Sequence, residues 1–477
     1  MQRIKPLCVS FLFLLSCSAI TLRAQVDRSQ PPMPGPAPEI QFSKPVSFTL
    51  DNGLQVIVSK NHEMPLVSFQ LTVDADPVRE GDAVGYVSAA GNLIRNGTEN
   101  LKKAEIDQAV DFIGGSLNTY TNGLYASCLS KKAEKMLDII SEVVMHPTYP
   151  AEEIEKYKKK AISGLKSSET DASYISGRVS RKLRNKNHPY GELTTIETVK
   201  NITREHCVSY YNNYYRPNIS YLVMVGDITP EKAKVFAAQY FGRWAKKSVP
   251  QHTYNFPKRH QGKRVAMVHK EDAVQSVVSI TYPVDIQVGD PDAIPARVMN
   301  GILGGGVFSG YLMQNLREDK GYTYGARSSL VKDAEVGYFK ASAEVGTEVT
   351  DSAVQEFLHE MNRIRNEPVD PNHLDLVRNV ITGQFARSLE DPRTRAKFAL
   401  NTKRFGLPEN YYMDYLKAVE KVSAEEIRIA AQKYVLPEEA IILVVGDKKK
   451  VAAKLNGFSG NKQVEWYDHS GTPLPNP

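Results

Sequence analysis

The 477-residue sequence is 42% hydrophobic and 24% charged, which suits a soluble globular chain of at least two domains. A net charge of +6 is small for this length, and Lys and Arg are scattered among Asp and Glu, so the sequence carries no nucleic-acid footprint. The basic run Lys156 to Lys160 reads as the solvated face of a helix.

Residues 1–24 have the form of a secretory signal peptide. Arg3 and Lys5 make a basic start, and Leu7 to Ile20 is an apolar core shorter than the roughly 20 residues of a membrane span. A cut after Ala24 leaves Gln25 first; Leu14-Leu15-Ser16-Cys17 approximates a lipobox, so lipid attachment at Cys17 stays open. Either route predicts export, to a bacterial periplasm. Residues 25–44 contain PPMPGPAP and read as an extended linker. Outside the leader two cysteines remain, Cys128 and Cys207, which could pair or stay buried thiols.

The first domain is expected over residues 45–245. Val46 to Leu50, the turn Asp51-Asn52-Gly53 and Leu54 to Val58 form a hairpin pattern, and Leu66 to Val73 is a third strand. Helical spacing runs from Ala104 to Ile113, Lys131 to Met145 and Glu152 to Lys166, with Asn118 to Ser130 as strand between the first two. Tyr221 to Val225 is a buried strand that stops at Gly226-Asp227.

That last segment recurs. Leu222-Val223-Met224-Val225-Gly226-Asp227 matches Ile442-Leu443-Val444-Val445-Gly446-Asp447 at an offset of 220 positions. At the same offset Pro217 matches Pro437, Tyr214 matches Tyr434, Thr203 matches Ser423 and Val199 matches Val419. The chain is therefore read as a duplicated α+β domain, with a linker at 246–262, a second copy at 263–460 and a tail at 461–477.

In the second copy Gly304, Gly305 and Gly306 break an apolar run, because glycine loses the most backbone freedom on ordering. Ser309 is the expected cap of the next helix, with Leu312, Met313 and Leu316 facing the core. Lys320-Gly321 ends that helix, and an extended segment starts at Tyr322. This order lets Arg317 and Tyr324 point into one cleft rimmed by glycines, where a guanidinium and a phenol could stabilise an oxyanion. On residue types alone, the pair is equally what a solvated charge and strand packing look like. Lys332 reads as a surface position.

The string Leu316, Arg317, Gly321, Tyr324 after the glycine loop resembles the C-terminal domain of the insulinase/pitrilysin (M16) zinc metallopeptidases, and the resemblance covers nearly the whole mature chain. It implies two homologous domains, each a mostly antiparallel sheet packed with helices, enclosing a clam-like cleft. It implies that Arg317 and Tyr324 contact a substrate carbonyl, with Gly304, Gly305 and Gly306 lining a peptide groove. Gly114 to Thr121 is similar to the family's edge strand, where Asn118 would meet an extended peptide by backbone pairing, although an ordinary edge strand looks the same.

Catalytic members of that family carry H-x-x-E-H on a helix, two histidines on one face for zinc and a Glu as base, plus a later Glu ligand. The matching frame here runs from Gly85 to Thr98. It places Ser88 and Asn92 at the histidines, Gly91 at the base and Gly164 at the third ligand. None of the ten histidines stands three or four residues from another, and each reads as a surface or linker histidine. Ser88 lacks a G-x-S-x-G elbow, and Gly304-x-Gly306 follows a helix rather than a strand. The resemblance therefore points to the non-catalytic subunit type. No cofactor is expected on this chain; the zinc would sit in an H-x-x-E-H partner of the same fold, with unfolded peptide as substrate. Core subunits of respiratory complexes, similar in fold, offer a scaffold role as the alternative.

Overall fold

The computed structural model describes residues 45–306 and 308–476; the leader, Cys17 and the Pro-rich linker lie outside the described residues. Six strands form the first sheet: β1 (Val46–Thr49), β2 (Gln55–Lys60), β3 (Leu66–Val73), β4 (Ser116–Tyr120), β5 (Gly123–Leu129) and β6 (Ser220–Gly226). Their spatial order is β1-β2-β6-β3-β5-β4, antiparallel except for β2 beside β6. The turn Asp51-Asn52-Gly53 does join β1 to β2, with Gly53 at φ +91°. The expected single strand 118–130 is two: Thr121-Asn122 turns the chain, and Asn118 pairs across to Tyr125.

The second sheet contains β7 (Arg264–His269), β8 (Gln275–Val284), β9 (Thr323–Val331), β10 (Gly337–Gly346), β11 (Ile441–Gly446), β12 (Val464–Tyr467) and β13 (Pro473–Leu474). Its order is β13-β12-β7-β11-β8-β10-β9. The central strands repeat the first sheet's pattern, with β11 between a parallel β7 and an antiparallel β8, as β6 lies between β2 and β3. Residues 461–477, read as a tail, instead supply β12 and β13. No helix or strand interrupts 245–263.

The duplication persists in the helices. Arg204–Tyr214 and Ala424–Tyr434 are the same element 220 positions apart, each capped by a hydroxyl, Thr203 and Ser423, that accepts from the third backbone N–H. Each half has its own large apolar core on one face of its sheet.

On the other face the halves exchange equivalent helices. Ala172–Arg184, from the first half, lays Ile175 and Val179 on Ala266, Val268, Leu443 and Val445 of the second sheet. Pro392–Arg404, from the second half, lays Ala396 and Leu400 on Ile57, Val223 and Val225 of the first. Asp171 and Asp391, again 220 apart, cap these two helices by accepting from Ser173 N (2.8 Å) and Arg393 N (2.9 Å). Full burial of Ile175 and Val179 stabilises the contact by on the order of 3–6 kcal/mol. The exchange ties the two halves into one compact unit.

Cys128 and Cys207 are buried free thiols and do not pair. Among the described residues no helix is long and apolar enough to cross a membrane.

Candidate functional site

Ser88, Gly91 and Asn92 lie on the helix Tyr86–Leu93, which starts at Gly85 (φ +113°). The Glu80 carboxylate accepts from Gly85 N and Val87 N, both at 2.9 Å, and fixes that start. Burial, with Glu192 adding to it, raises the Glu80 pKa against those hydrogen bonds. The polar groups of the helix are already used. Asn92 Nδ2 donates to Ser88 O (2.7 Å) and Ser88 Oγ (3.1 Å), Ser88 Oγ meets Thr121 Oγ1 at 3.3 Å, and Thr119 Oγ1 donates to Asn92 O at 2.8 Å.

Gly91 is there because the β4–β5 turn presses on it. A Cβ would stand 2.3 Å from Thr121 O and 2.5 Å from Tyr120 O, so no side chain fits without moving backbone. Gly164, on Ala151–Ser168, has open space around its missing side chain. Tyr157, seven residues earlier on that helix, hydrogen-bonds Ser88. The structure thus brings three of the four motif positions onto one helix and links the fourth position's helix to it. Ser and Asn oxygens plus two glycines do not fit a catalytic zinc. Among the described residues no group of three or more His, Cys, Asp or Glu could hold a metal.

One histidine departs from expectation: His188 is buried, with its Nδ1 accepting from Tyr190 N and its ring edge-on to Tyr190 and Tyr254. Burial lowers its pKa, with Arg79 adding to the effect.

The glycine loop follows the helix Ala293–Leu303. Gly304 and Gly305 both donate to Asn300 O, at 3.0 and 2.7 Å, and Ser328 N donates to Gly304 O at 2.9 Å. A Cβ at Gly304 would meet Ser328 N at 2.8 Å, and one at Gly305 would meet Asn300 Nδ2 at 2.8 Å. Gly306 sits at φ +100°. Close approach to β9 thus accounts for Gly304, close approach to Asn300 of the preceding helix for Gly305, and backbone conformation for Gly306.

Ser309 does not cap the next helix; Gly310 stands at the N-cap position of Tyr311–Met313 with no side-chain cap. One turn later the helix widens to a π-helix, Gln314–Asp319, which contains Arg317. π-Turns are rare and recur at functional sites. Sequence reasoning missed the group that anchors this one. Asn315 Nδ2 donates to Glu356 (2.9 Å) and to the buried Glu360 (2.7 Å) on the helix Thr350–Asn366. An Asn inside an apolar helical run was the available signal.

Gly321 (φ +65°) then reverses the chain into β9, the edge strand of its sheet. Tyr324 is 90% exposed, and Phe308 is 68% exposed. The Arg317 guanidinium lies 5.6 Å from the Phe308 ring and 3.3 Å from the Glu318 carboxylate. Among the described residues no hydrogen bond joins Arg317 to Tyr324. Asn118 is exposed on β4, the edge strand of the first sheet. Between the β3/β5 face and Pro392–Arg404 a cavity of about 510 Å³ opens, walled by Thr72 and Tyr125 on one side and by Arg393 and Arg404 on the other.

A family model described as Insulinase (Peptidase family M16) matches residues 55–190, and one described as Peptidase M16 inactive domain matches residues 201–381. The chain belongs to the M16 peptidase family. It is 23% identical over 363 residues to an uncharacterized zinc protease, YmxG, of Bacillus subtilis, covering 75% of this chain and 87% of that protein. It is 22% identical over 423 residues to a non-peptidase homolog, YmxG, of Helicobacter pylori, covering 83% and 92%. Among solved structures, a peptidase M16 inactive domain from Pseudomonas fluorescens superposes with TM-score 0.77 at 20% identity, over 85% of this chain and 98% of that one. The first half of the periplasmic protease PqqL from Escherichia coli gives 0.68 at 16% identity, over 87% and 94%. The M16 fold of two homologous α+β domains is therefore shared. With an M16 inactive domain matched over residues 201–381, this chain is an inactive-type M16 member.

Proposed function

We propose that this M16 chain is an exported, non-catalytic subunit that completes the active site of an H-x-x-E-H partner of the same fold. The observation that carries this reading is the exposure of Tyr324, 90%, near the start of the edge strand β9, and of Phe308, 68%, whose ring lies 5.6 Å from the Arg317 guanidinium. A folded chain rarely leaves two large aromatics so open on one stretch, and exposed aromatics are what interfaces and peptide grooves bury. Arg317 stands on a π-turn pinned by Asn315, and Tyr324 lies at a bulge in the edge strand, between Thr323 and Ala326, which pair with Val345 and Ala343 of β10.

In the assembled enzyme, the partner's zinc and Glu supply the activated water. Arg317 and Tyr324 donate to the scissile carbonyl oxygen as it takes on negative charge. Gly304, Gly305 and Gly306 line the groove with backbone, and the open edge at Asn118 offers strand pairing to an extended peptide. The deciding experiment is reconstitution with an exported H-x-x-E-H homologue: peptide hydrolysis should require both chains and fall when Tyr324 becomes Phe.

A second reading is a binding or scaffold protein of the same fold. The contact favouring it is the Arg317–Glu318 ion pair, which already neutralises the guanidinium. Both groups are solvent-exposed, where such a pair is worth at most about 1 kcal/mol, so a substrate or partner displaces it readily.

A further inference from the structure

Lys332, expected at the surface, is half-buried and turns into a small cavity of about 80 Å³. Gly305 of the glycine loop, Leu330 of β9 and Arg297, Asn300 and Gln384 share its wall. A water occupies about 30 Å³ of the liquid, so the space admits a small group of two to four heavy atoms.

The charges do not balance there. Lys332 and Arg297 both line the cavity, and no Asp or Glu does. Asp290 acts on the amine only from outside the wall, and its Oδ2 already accepts from Gln287 N at 2.8 Å. Lys332 Nζ makes one hydrogen bond, to Ala293 O at 3.3 Å, which uses one of its three donors. The Arg297 guanidinium lies close to the Tyr415 phenol, a neutral group. Asn300 is spent on Ser328, its Nδ2 donating to Ser328 O and its Oδ1 accepting from Ser328 Oγ. Gln384 adds an amide with no hydrogen bond among the described residues. Two cations beside a partly enclosed space, with free donors and no carboxylate in its wall, are the complement of a small planar anion.

We propose that this cavity is a carboxylate-binding site in which Lys332 and Arg297 hold the anion and Gln384 donates to it. Burial of Lys332, with Arg297 close by and Asp290 only partly offsetting them, pushes its pKa down to about 8, and a bound anion would reverse that. Because Gly305 belongs both to this wall and to the proposed peptide groove, the acidic side chain of a bound peptide is one source of the carboxylate; a free small carboxylic acid is the other. The first source rests on the groove reading above; the site itself does not.

The test uses the full mature chain and acetate. Lysine Cε is labelled, and the Lys332 resonance, assigned by its loss in Lys332→Met, is titrated with and without acetate. Acetate should raise its apparent pKa and raise Tm, with affinity weakened about ten-fold or more in Arg297→Gln and in Lys332→Met. Arg297 is exposed, so its variant should fold even if the other does not. No acetate-dependent shift, or equal acetate stabilisation in wild type and both variants, overturns the site. Two peptides differing only by Glu for Gln then identify the source. Tighter Glu-peptide binding that vanishes in Lys332→Met assigns the carboxylate to a peptide, and equal binding assigns it to a free acid. Failure of both peptides to bind would remove the groove while leaving the acetate result standing.

Discussion

Gly91 and the Thr121 carbonyl stand so close that any side chain at position 91 would collide with it: a Cβ would meet the oxygen at 2.3 Å. The hairpin turn fills the space that any side chain at position 91 would need. Gly91→Ala should therefore destabilise the protein by roughly 1–3 kcal/mol in chemical denaturation, the range for forced overpacking. Purified protein should hold well under one zinc per chain by elemental analysis. Rebuilding the motif as Ser88→His, Gly91→Glu, Asn92→His and Gly164→Glu should not bring it to one. Unchanged stability of Gly91→Ala would mean that the turn yields freely and that crowding does not bar a base.

Tyr324→Phe keeps the ring and removes the hydroxyl, and Arg317→Lys keeps the charge and removes the planar fork. Each should lower kcat of the reconstituted enzyme by about 10²–10³, the usual effect of losing one oxyanion donor. KM and complex formation should change little, because the contact is made mainly in the transition state. Lys450→Ala, at an exposed position on Lys448–Leu455, serves as the control. Full activity of both variants would leave the scaffold reading.

Assembly has its own readout. Mixed with an exported H-x-x-E-H homologue, the chain should elute as a heterodimer in size-exclusion chromatography. Replacing Phe308 and Tyr324 together by Ser should weaken that complex, since exposed aromatics are typical interface anchors. Strict monomers with every such homologue of the source organism would count against the proposal.

Lys332 gives the stability a pH signature. Its pKa is about 8 in the folded chain and 10.5 for a free side chain, so between these values the unfolded chain binds the extra proton. Stability should rise with pH across that window, by at most about 1.4 kcal/mol per unit, and this contribution is absent below about pH 8. Lys332→Met should flatten the rise and be the more stable protein at pH 7. Urea midpoints at several pH values measure both.

The thiols should be inert. Burial raises Cys128 to about 11 and Cys207 to about 12, so neither offers thiolate at neutral pH. A thiol reagent should label them only after denaturant is added, and dithiothreitol should leave Tm unchanged.

The duplication was legible because buried strands tolerate few residue types, so Leu222–Asp227 and Ile442–Asp447 still look alike. The family was legible because the glycine loop and the Leu316, Arg317, Gly321, Tyr324 string keep their spacing. What stayed hidden depends on distance in space. Gly91 looks like any helical glycine until the Thr121 turn is seen against it. Lys332 looks exposed because a lysine followed by Asp333 at a strand's end usually faces water, whereas Arg297 and Gln384 reach it from helices distant in sequence. The exchanged helices carry the same caps, Asp171 and Asp391, but nothing local tells them to cross to the opposite sheet.

That crossing sets a timetable for folding. The face of the first sheet formed by Ile57, Val223 and Val225 is covered by Ala396 and Leu400, which follow Val225 by about 170 residues. At roughly 5–20 residues per second of synthesis, that apolar face waits on the order of ten to thirty seconds for its cover. A chain stopped short of Pro392 would leave it bare permanently. The first half made alone should aggregate, the two halves made as separate polypeptides should rescue each other, and a nick in 245–263 should leave the protein whole.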